Sequence, residues 1–582
     1  MATKKKVTKK VSKKKKKKTT KKKSTIMKVS KREPIKKATK KKTTKKKVSK
    51  KASKKKVAKK KVTKKKASKK KTSKKVAKKA TMKKPVKKKT AVRKDGKKVL
   101  NGISDIRRFF LSNDEPLYFV SATNFNLLGA DEWIRGFKFI VYVECFDGQH
   151  PNVFCPIEEI PHSEFQSIEE INNYLLEHKE VQDFIQKRGD GKNRGKALFL
   201  MFDEKTEALA KEMGLEICFP PAKMRQWLDN KVNTNRIAEK AKVPCVPYVL
   251  TKVNSYEHLN KVSKKLGTDL VIQLPFGDSG HTTFFIKDEK SWKKHAEEIL
   301  AEKEVKVMKR INCRGAAIEA CVTQQGTIVA PLMTELVGFK ELTPYKGGWC
   351  GNEIYANVFT EKIRKQAKNY TERFGEQLRK KGYKGYFELD FLIDLDYDQL
   401  YLGELNPRIT GASSITNHAV FALSDMPLIL FHMLEWMKQP YKLNIKSINK
   451  RWLEPENIDD WGQMVIKHTK DTIEMVKEAP NSGIWKVDDS GAITFNRLDT
   501  HRRAVETENE AFFLRIINEG DYIYEGADLG ILVVRGRLMT DEFELTKRAK
   551  TWIDAIRAEY KSELYTGPDK PELAEVGGFK FV

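Results

Sequence analysis

The segment Glu388-Leu389-Asp390-Phe391-Leu392-Ile393-Asp394 is followed, after a short turn, by Leu400-Tyr401-Leu402-Gly403-Glu404-Leu405-Asn406-Pro407-Arg408. These residue types at this spacing suit a cation site. Two-residue alternation along a strand sets Glu388 and Asp390 on one face, and Glu404 and Asn406 on one face of the neighbouring strand. Carboxylates facing each other across paired strands are costly to bury unless a cation neutralises them. Oxygen ligands of this kind suit Mg²⁺, which keeps part of its water shell and bridges substrate phosphates. A solvated strand face is the other reading, and the apolar residues between the acids make it the weaker one.

Three further pieces fit phosphate and base binding. Leu270-Val271-Ile272-Gln273 runs into Gly277-Asp278-Ser279-Gly280-His281-Thr282-Thr283, where glycines permit backbone amides to close on phosphate oxygens; a plain hairpin turn is the alternative. Lys231, in Asp229-Asn230-Lys231-Val232, opens a helix that ends before Val243-Pro244-Cys245-Val246-Pro247, and it supplies either a phosphate-facing cation or a solvated lysine. Met308-Lys309-Arg310-Ile311 is an apolar strand end whose backbone donors and acceptors suit an adenine edge, or else a core strand.

The elements that must hold these residues alternate in type. Strands are expected at Pro116 to Ala122, Phe137 to Cys145 and Ala197 to Phe202, with an amphipathic helix from Glu169 to Lys187 and another ending at Met213. That alternation argues for a parallel α/β sheet. Leu250 to Ile286 reads as a helix and two strands about the glycine turn, Thr360 to Lys381 as a helix, and Tyr386 to Asp394 and Gln399 to Glu404 as paired strands. A linker is expected near Tyr441 to Asn449. Strands follow at Gly462 to His468, Gly483 to Phe495 and Phe512 to Val534, before a helix from Glu542 to Tyr560.

Composition divides the 582 residues sharply. The first 100 hold 52 basic and two acidic residues, whereas the rest hold 65 and 73, so the net charge of +42 belongs to an N-terminal arm attached to a mildly acidic body. Lysine triplets separated by Val-Thr, Val-Ser, Ala-Ser or Val-Ala repel one another and carry too little apolar surface for a core, which predicts disorder over 1–98. Such an arm neutralises phosphates without base-specific geometry. With no aromatics to stack on bases, it does not read as a specific single-strand binder; a solubilising tail or a general polyanion binder are the alternatives. Seven widely spaced cysteines with no C-x-x-C pair indicate free thiols in a reducing compartment. No apolar run approaches the roughly 18 residues of a membrane span, and no secretory signal opens the chain, so a soluble intracellular protein is expected. It would be cytoplasmic, and nucleoid-associated, or nuclear in a cell with a nucleus.

Taken in order, the motifs of the body resemble those of ATP-grasp enzymes, with an architecture similar to biotin carboxylase and the carbamoyl-phosphate synthetase large chain, over about residues 100 to 570. The lysine-rich arm is similar in composition to linker-histone and bacterial histone-like tails. The resemblance implies an α/β (α+β) body with a pre-ATP-grasp parallel-sheet domain at 99–222, an ATP-grasp domain at 223–440 and a biotin carboxylase C-terminal-like mixed domain at 441–582. It implies ATP and Mg²⁺, or Mn²⁺, as cofactors. Nucleotide contacts would come from Lys231, Gln273, Gly277, Ser279, Gly280, His281, Lys309, Arg310 and Ile311; metal ligands from Asp390 or Glu388 with Glu404 and Asn406; and Arg408 would stand beside a reacting acyl or carboxy phosphate. Three departures stand out. Gln273 replaces the strand lysine usual before the glycine loop, that loop is poorer in glycine, and Ala412 falls at or near the glutamate that biotin carboxylases use as base.

Three functions follow. The first is a ligase that activates a carboxylate as an acyl phosphate for attack by an amine or other nucleophile, with small-molecule substrates and an arm that contacts nucleic acid or another polyanion. The second is biotin carboxylase itself, opposed by Ala412 and by the absence of a Met-Lys-Met biotin acceptor. The third is a nucleic-acid-associated protein that binds ATP without turnover.

Overall fold

A computed structural model describes residues 97–567 apart from 158–159, 161–164, 192–193 and 278–281. The lysine-rich arm up to residue 96, and with it Ser279, Gly280 and His281, lie outside the described residues. The first layer is a five-stranded sheet ordered Val153–Phe154, Phe137–Val141, Leu117–Ser121, Lys196–Phe199 and Glu216–Ile217. All its pairings are parallel. The three central strands are mainly apolar and almost wholly buried, as cover on both faces demands.

The helix expected over Glu169 to Lys187 is two helices, Ile168–Glu177 and Lys179–Arg188. His178 is extended between them and its Nδ1 accepts the Glu180 amide, so a side-chain cap replaces helix continuity.

A four-stranded antiparallel sheet follows, ordered Tyr248–Thr251, Val305–Lys309, Leu270–Gln273 and Thr283–Ile286. Alternation divides its faces. Ile272, Phe284, Val305 and Val307 pack with Leu259, Trp292 and Ile299 of the helices Tyr256–Val262 and Glu289–Ala301. Val271 and Met308 look the other way and meet Val246, Tyr248 and Ile311, together with Leu392 and Tyr401 from the large sheet.

That large sheet has eleven strands, and Gln399–Asn406, Gly385–Asp394, Cys313–Thr323, Met333–Val337 and Trp349–Ile354 form one half of it. Trp461–Lys467 pairs with Trp349–Ile354, so the chain beyond residue 440 continues the same sheet through Asp528–Arg535, Glu510–Arg515, Gly483–Val487 and Ile493–Arg497. The helix Glu361–Lys380, capped by Thr360, covers the first half with Ile363, Ala367, Phe374 and Leu378. The stretch expected as a linker is instead structured: Tyr441–Lys442 pairs in parallel with Leu100–Asn101, and Ile445–Arg451 is a helix capped by Asn444. Buried Tyr441 and Ile448 supply the apolar contacts that hold this stretch. The last helix spans Lys547–Glu559, starting later than expected because Thr546 provides its cap.

Candidate active site

The expected strand pair is present, and its register sets Glu388 opposite Asn406 and Asp390 opposite Glu404. The ladder then slips by one residue, with Phe391 opposite Leu402 and Gly403 left unpaired as a β-bulge. The bulge reverses the alternation, so that Tyr401, three residues before Glu404, joins the same face, while Leu402 turns into the opposite core. Glycine suits this position, since a Cβ there would lie 3.2 Å from the Asp390 carbonyl oxygen.

Lys231 spans the crevice between the two sheets. Asn230 caps its helix by accepting the amides of Val232 and Asn233, and the Lys231 amide is anchored on the Pro275 carbonyl 2.9 Å away. Its Nζ lies 2.6 Å from Glu404 Oε1 and donates to the Gly277 carbonyl at 2.6 Å. The lysine side chain is 5% exposed and the glutamate 28%, so this is no surface ion pair.

Asn406 Nδ2 donates to Asp390 Oδ2 at 2.9 Å, Glu388 stands within hydrogen-bonding reach of the same carboxyl, and the buried Oδ1 accepts from no N–H or hydroxyl donor among the described residues. Burial, and the charge of Glu404, push its carboxyl up to about 6. Arg408 donates to Asn406 Oδ1 at 3.0 Å, and its Nε is buried without a partner. On the same face, Glu388 lies across the ladder from Glu319. Burial, then the charges of Asp390 and Glu319, push Glu388 well above the usual carboxylate range. The Thr410 hydroxyl stands between the two acids, and Ser413 and Tyr386 donate to Glu319 at 2.5 and 2.6 Å. Glu388 thus sits beside Asp390 on the strand face, and Asp390, Glu404 and Asn406 are the oxygen donors nearest the crevice.

The sequence reading missed Glu335. Its carboxyl is pushed well up by burial, then by Asp390 and Glu404, and Gly315 makes room for it, because a Cβ at 315 would fall 2.2 Å from Glu335 Oε2. A glutamate inside the otherwise apolar run Pro331 to Val337 was the available signal. Lys306, wholly buried between two valines, was missed in the same way. Lys309 and Arg310 project outward, with Arg310 3.6 Å from Asp269 and stacked over Phe285. Their amides are already given to Pro247 and Asp269, so the donors expected for an adenine edge at these two residues are engaged. Ile311 does reach the apolar pocket. Gln273 Nε2 lies 3.4 Å from Thr283 Oγ1, and its Oε1 is buried without a partner. Ala412 is buried beside Thr410, whose hydroxyl accepts its amide.

Among the described residues no three His, Cys, Asp or Glu side chains form a ready-made metal cluster. Two carboxylates and an amide nevertheless fit Mg²⁺, which takes few protein ligands and completes its shell with water and phosphate. The unpartnered Asp390 oxygen is the structural mark of that fit. Among the described residues no disulfide joins any of the seven cysteines, and no helix is long and apolar enough to cross a membrane.

No family model matches the chain, and no curated protein does. Solved structures do resemble it. The biotin carboxylase domain of 2-oxoglutarate carboxylase from Hydrogenobacter thermophilus, in complex with MgADP, ADP and bicarbonate, superposes with a TM-score of 0.51 at 12% identity, over 78% of this chain and 91% of that one. A biotin carboxylase from Campylobacter jejuni, in a nucleotide complex, gives 0.50 at 12% identity over 77% and 92%. The fold is that of the biotin carboxylases, an ATP-grasp fold.

Proposed function

We propose that the chain is an ATP- and Mg²⁺-dependent ligase that converts a small-molecule carboxylate to an acyl phosphate and passes the acyl group to an amine or another nucleophile. The observation that carries this is the crevice itself, where Lys231, Glu404, Asp390, Asn406 and Arg408 converge beneath a turn of the small sheet. Nucleotide complexes of the two similar structures support the same reading. Asp390, Glu404 and Asn406 would hold the metal, which would supply neutralisation of the phosphate charge. Lys231 gives up Glu404 to grip phosphate oxygens when the nucleotide enters. The substrate carboxylate oxygen attacks the γ-phosphorus as its bond to ADP breaks; the nucleophile then attacks the acyl carbon, and inorganic phosphate leaves with its electron pair. Arg408 steadies the acyl phosphate, with Asn406 fixing its guanidinium. The protein's part is chiefly placement and charge.

Bicarbonate is disfavoured as the carboxylate because methyl-sized Ala412 offers no base. Segment 99–222 would be a pre-ATP-grasp domain, 223–440 the nucleotide-binding ATP-grasp domain and 441–582 a mixed C-terminal domain, and residues 1–98 would hold the enzyme on nucleic acid or another polyanion. ADP release in a screen of carboxylates and amines tests the ligase; stimulation by bicarbonate and biotin instead would transfer the assignment to biotin carboxylase, and tight ATP binding with no ADP release under any pairing would leave an ATP-binding protein without turnover. Salt-sensitive DNA binding that survives deletion of residues 1–98 would remove the arm from the account.

A further inference from the structure

Lys306 has a place in the crevice that neither the motif order nor the resemblance assigns. It is fully buried, and its Nζ finds no hydrogen-bond acceptor among the described residues. The ladder sets it directly opposite Gln273, whose Oε1 is also buried and unpartnered. Antiparallel partners share a face. Since Val305 and Val307 point into the helix-covered core, Lys306 and Gln273 point to the crevice side, along with Met308 and Val271. The apolar pocket of Val246, Val271, Met308 and Leu392 lies two residues along the strand, about 7 Å. Beyond Gln273 in the other direction comes Gly277, on whose carbonyl Lys231 rests.

Among the described residues nothing nearby neutralises it. Glu404 is engaged by Lys231, and the Cys245 thiol, pushed up to about 11 by burial, is neutral. An ammonium withheld from water and from any acceptor is among the costliest groups to bury, and it is retained where an anion arrives to meet it. Loss of water weakens its hold on a proton, and an arriving anion restores it.

We propose that Lys306 is a second ammonium contact for the phosphate chain of the bound nucleotide, reaching it from the strand across from Gln273. This rests on the nucleotide reading of the crevice given above. The base lies against Val271 and Met308, and the phosphates run past Lys306 toward Lys231 and Gly277. The charge that position 273 lacks is thereby supplied across the ladder.

The test compares ATP and adenosine binding to the full chain by calorimetry for the wild type, Lys306→Met, and the exchange variant Lys306→Gln with Gln273→Lys. Lys306→Met should weaken ATP by about tenfold to hundredfold, as expected for a charge-assisted hydrogen bond, and leave adenosine unchanged. The exchange variant should recover most of the ATP affinity. Lys306→Met should melt no lower than the wild type, because it removes an unpaired buried charge. Unchanged ATP affinity in Lys306→Met overturns the proposal, as does an equal loss for adenosine, which would mark a packing role. If the wild type binds neither ligand, the nucleotide reading itself falls.

Discussion

Removing Glu404 should destabilise the free protein, and removing Lys231 as well should cost less than the sum of the two single losses. The two side chains meet at 2.6 Å with the lysine almost wholly shielded, so the pair behaves as a largely buried one. Coulomb's law at that distance and an effective dielectric of 20 gives an attraction of about 6 kcal/mol before desolvation. Breaking a fully buried pair by truncating one partner costs about 3 to 5 kcal/mol, mainly from the charge left behind. Glu404 retains some water and Lys231 keeps the Gly277 carbonyl, which discounts the figure to about 2 to 3 kcal/mol for Glu404→Ala. Lys231→Met removes the cation and leaves the better-solvated carboxylate, so it should cost about 1 kcal/mol. Urea unfolding of both single variants and the double variant forms a cycle, in which the coupling should be about 1 to 2 kcal/mol. A coupling below about 0.5 kcal/mol, or a Glu404→Ala protein as stable as wild type, would refute the reasoning that Lys231 is held in place by this carboxylate.

Two more outcomes follow from the packing. His432 is buried, with Nδ1 accepting the Tyr386 amide at 2.9 Å and Nε2 donating to the Cys218 carbonyl at 2.7 Å, and burial pushes its pKa down to about 3. The unfolded chain takes up this proton below about pH 6.5 and the folded chain does not, so stability is complete above that pH and falls by about 3 kcal/mol on reaching pH 4.5. His432→Gln should flatten this acid limb in urea midpoints measured across that window, and an unchanged limb would assign it to other groups. Gly403→Val should cost about 1 to 3 kcal/mol and abolish Mg²⁺-dependent ATP binding, because its side chain would press on the Asp390 backbone and straighten the bulge. Calorimetry that finds the metal dependence intact would show that the bulge does not aim Glu404.

The acidic face was legible because strand alternation is local: Glu388 with Asp390, and Glu404 with Asn406, share faces on spacing alone, and the register bears this out. Lys231 was legible from its place at a helix start, although not its burial. The bulge at Gly403 was not, since a glycine within an apolar strand gives no register until its partner strand is known. Glu335, Glu319 and Lys306 were hidden for a related reason. Each is a charged residue flanked by apolar ones in its strand, and what it meets comes from other strands, such as Lys306 opposite Gln273 and Glu319 opposite Glu388. The helix break at His178 and the ordered stretch after Tyr441 depend on side-chain caps and on pairing with Leu100–Asn101, which local pattern does not reveal.

The most direct test of the central claim is calorimetric titration of the full chain with ATP, with and without Mg²⁺, in salt high enough to suppress binding to the lysine-rich arm, comparing wild type with Glu404→Gln. The account predicts one saturable site whose affinity rises with Mg²⁺ in the wild type and loses that rise in Glu404→Gln, which keeps the shape of the side chain without its charge. Binding that ignores Mg²⁺, or that is the same in both proteins, would contradict it.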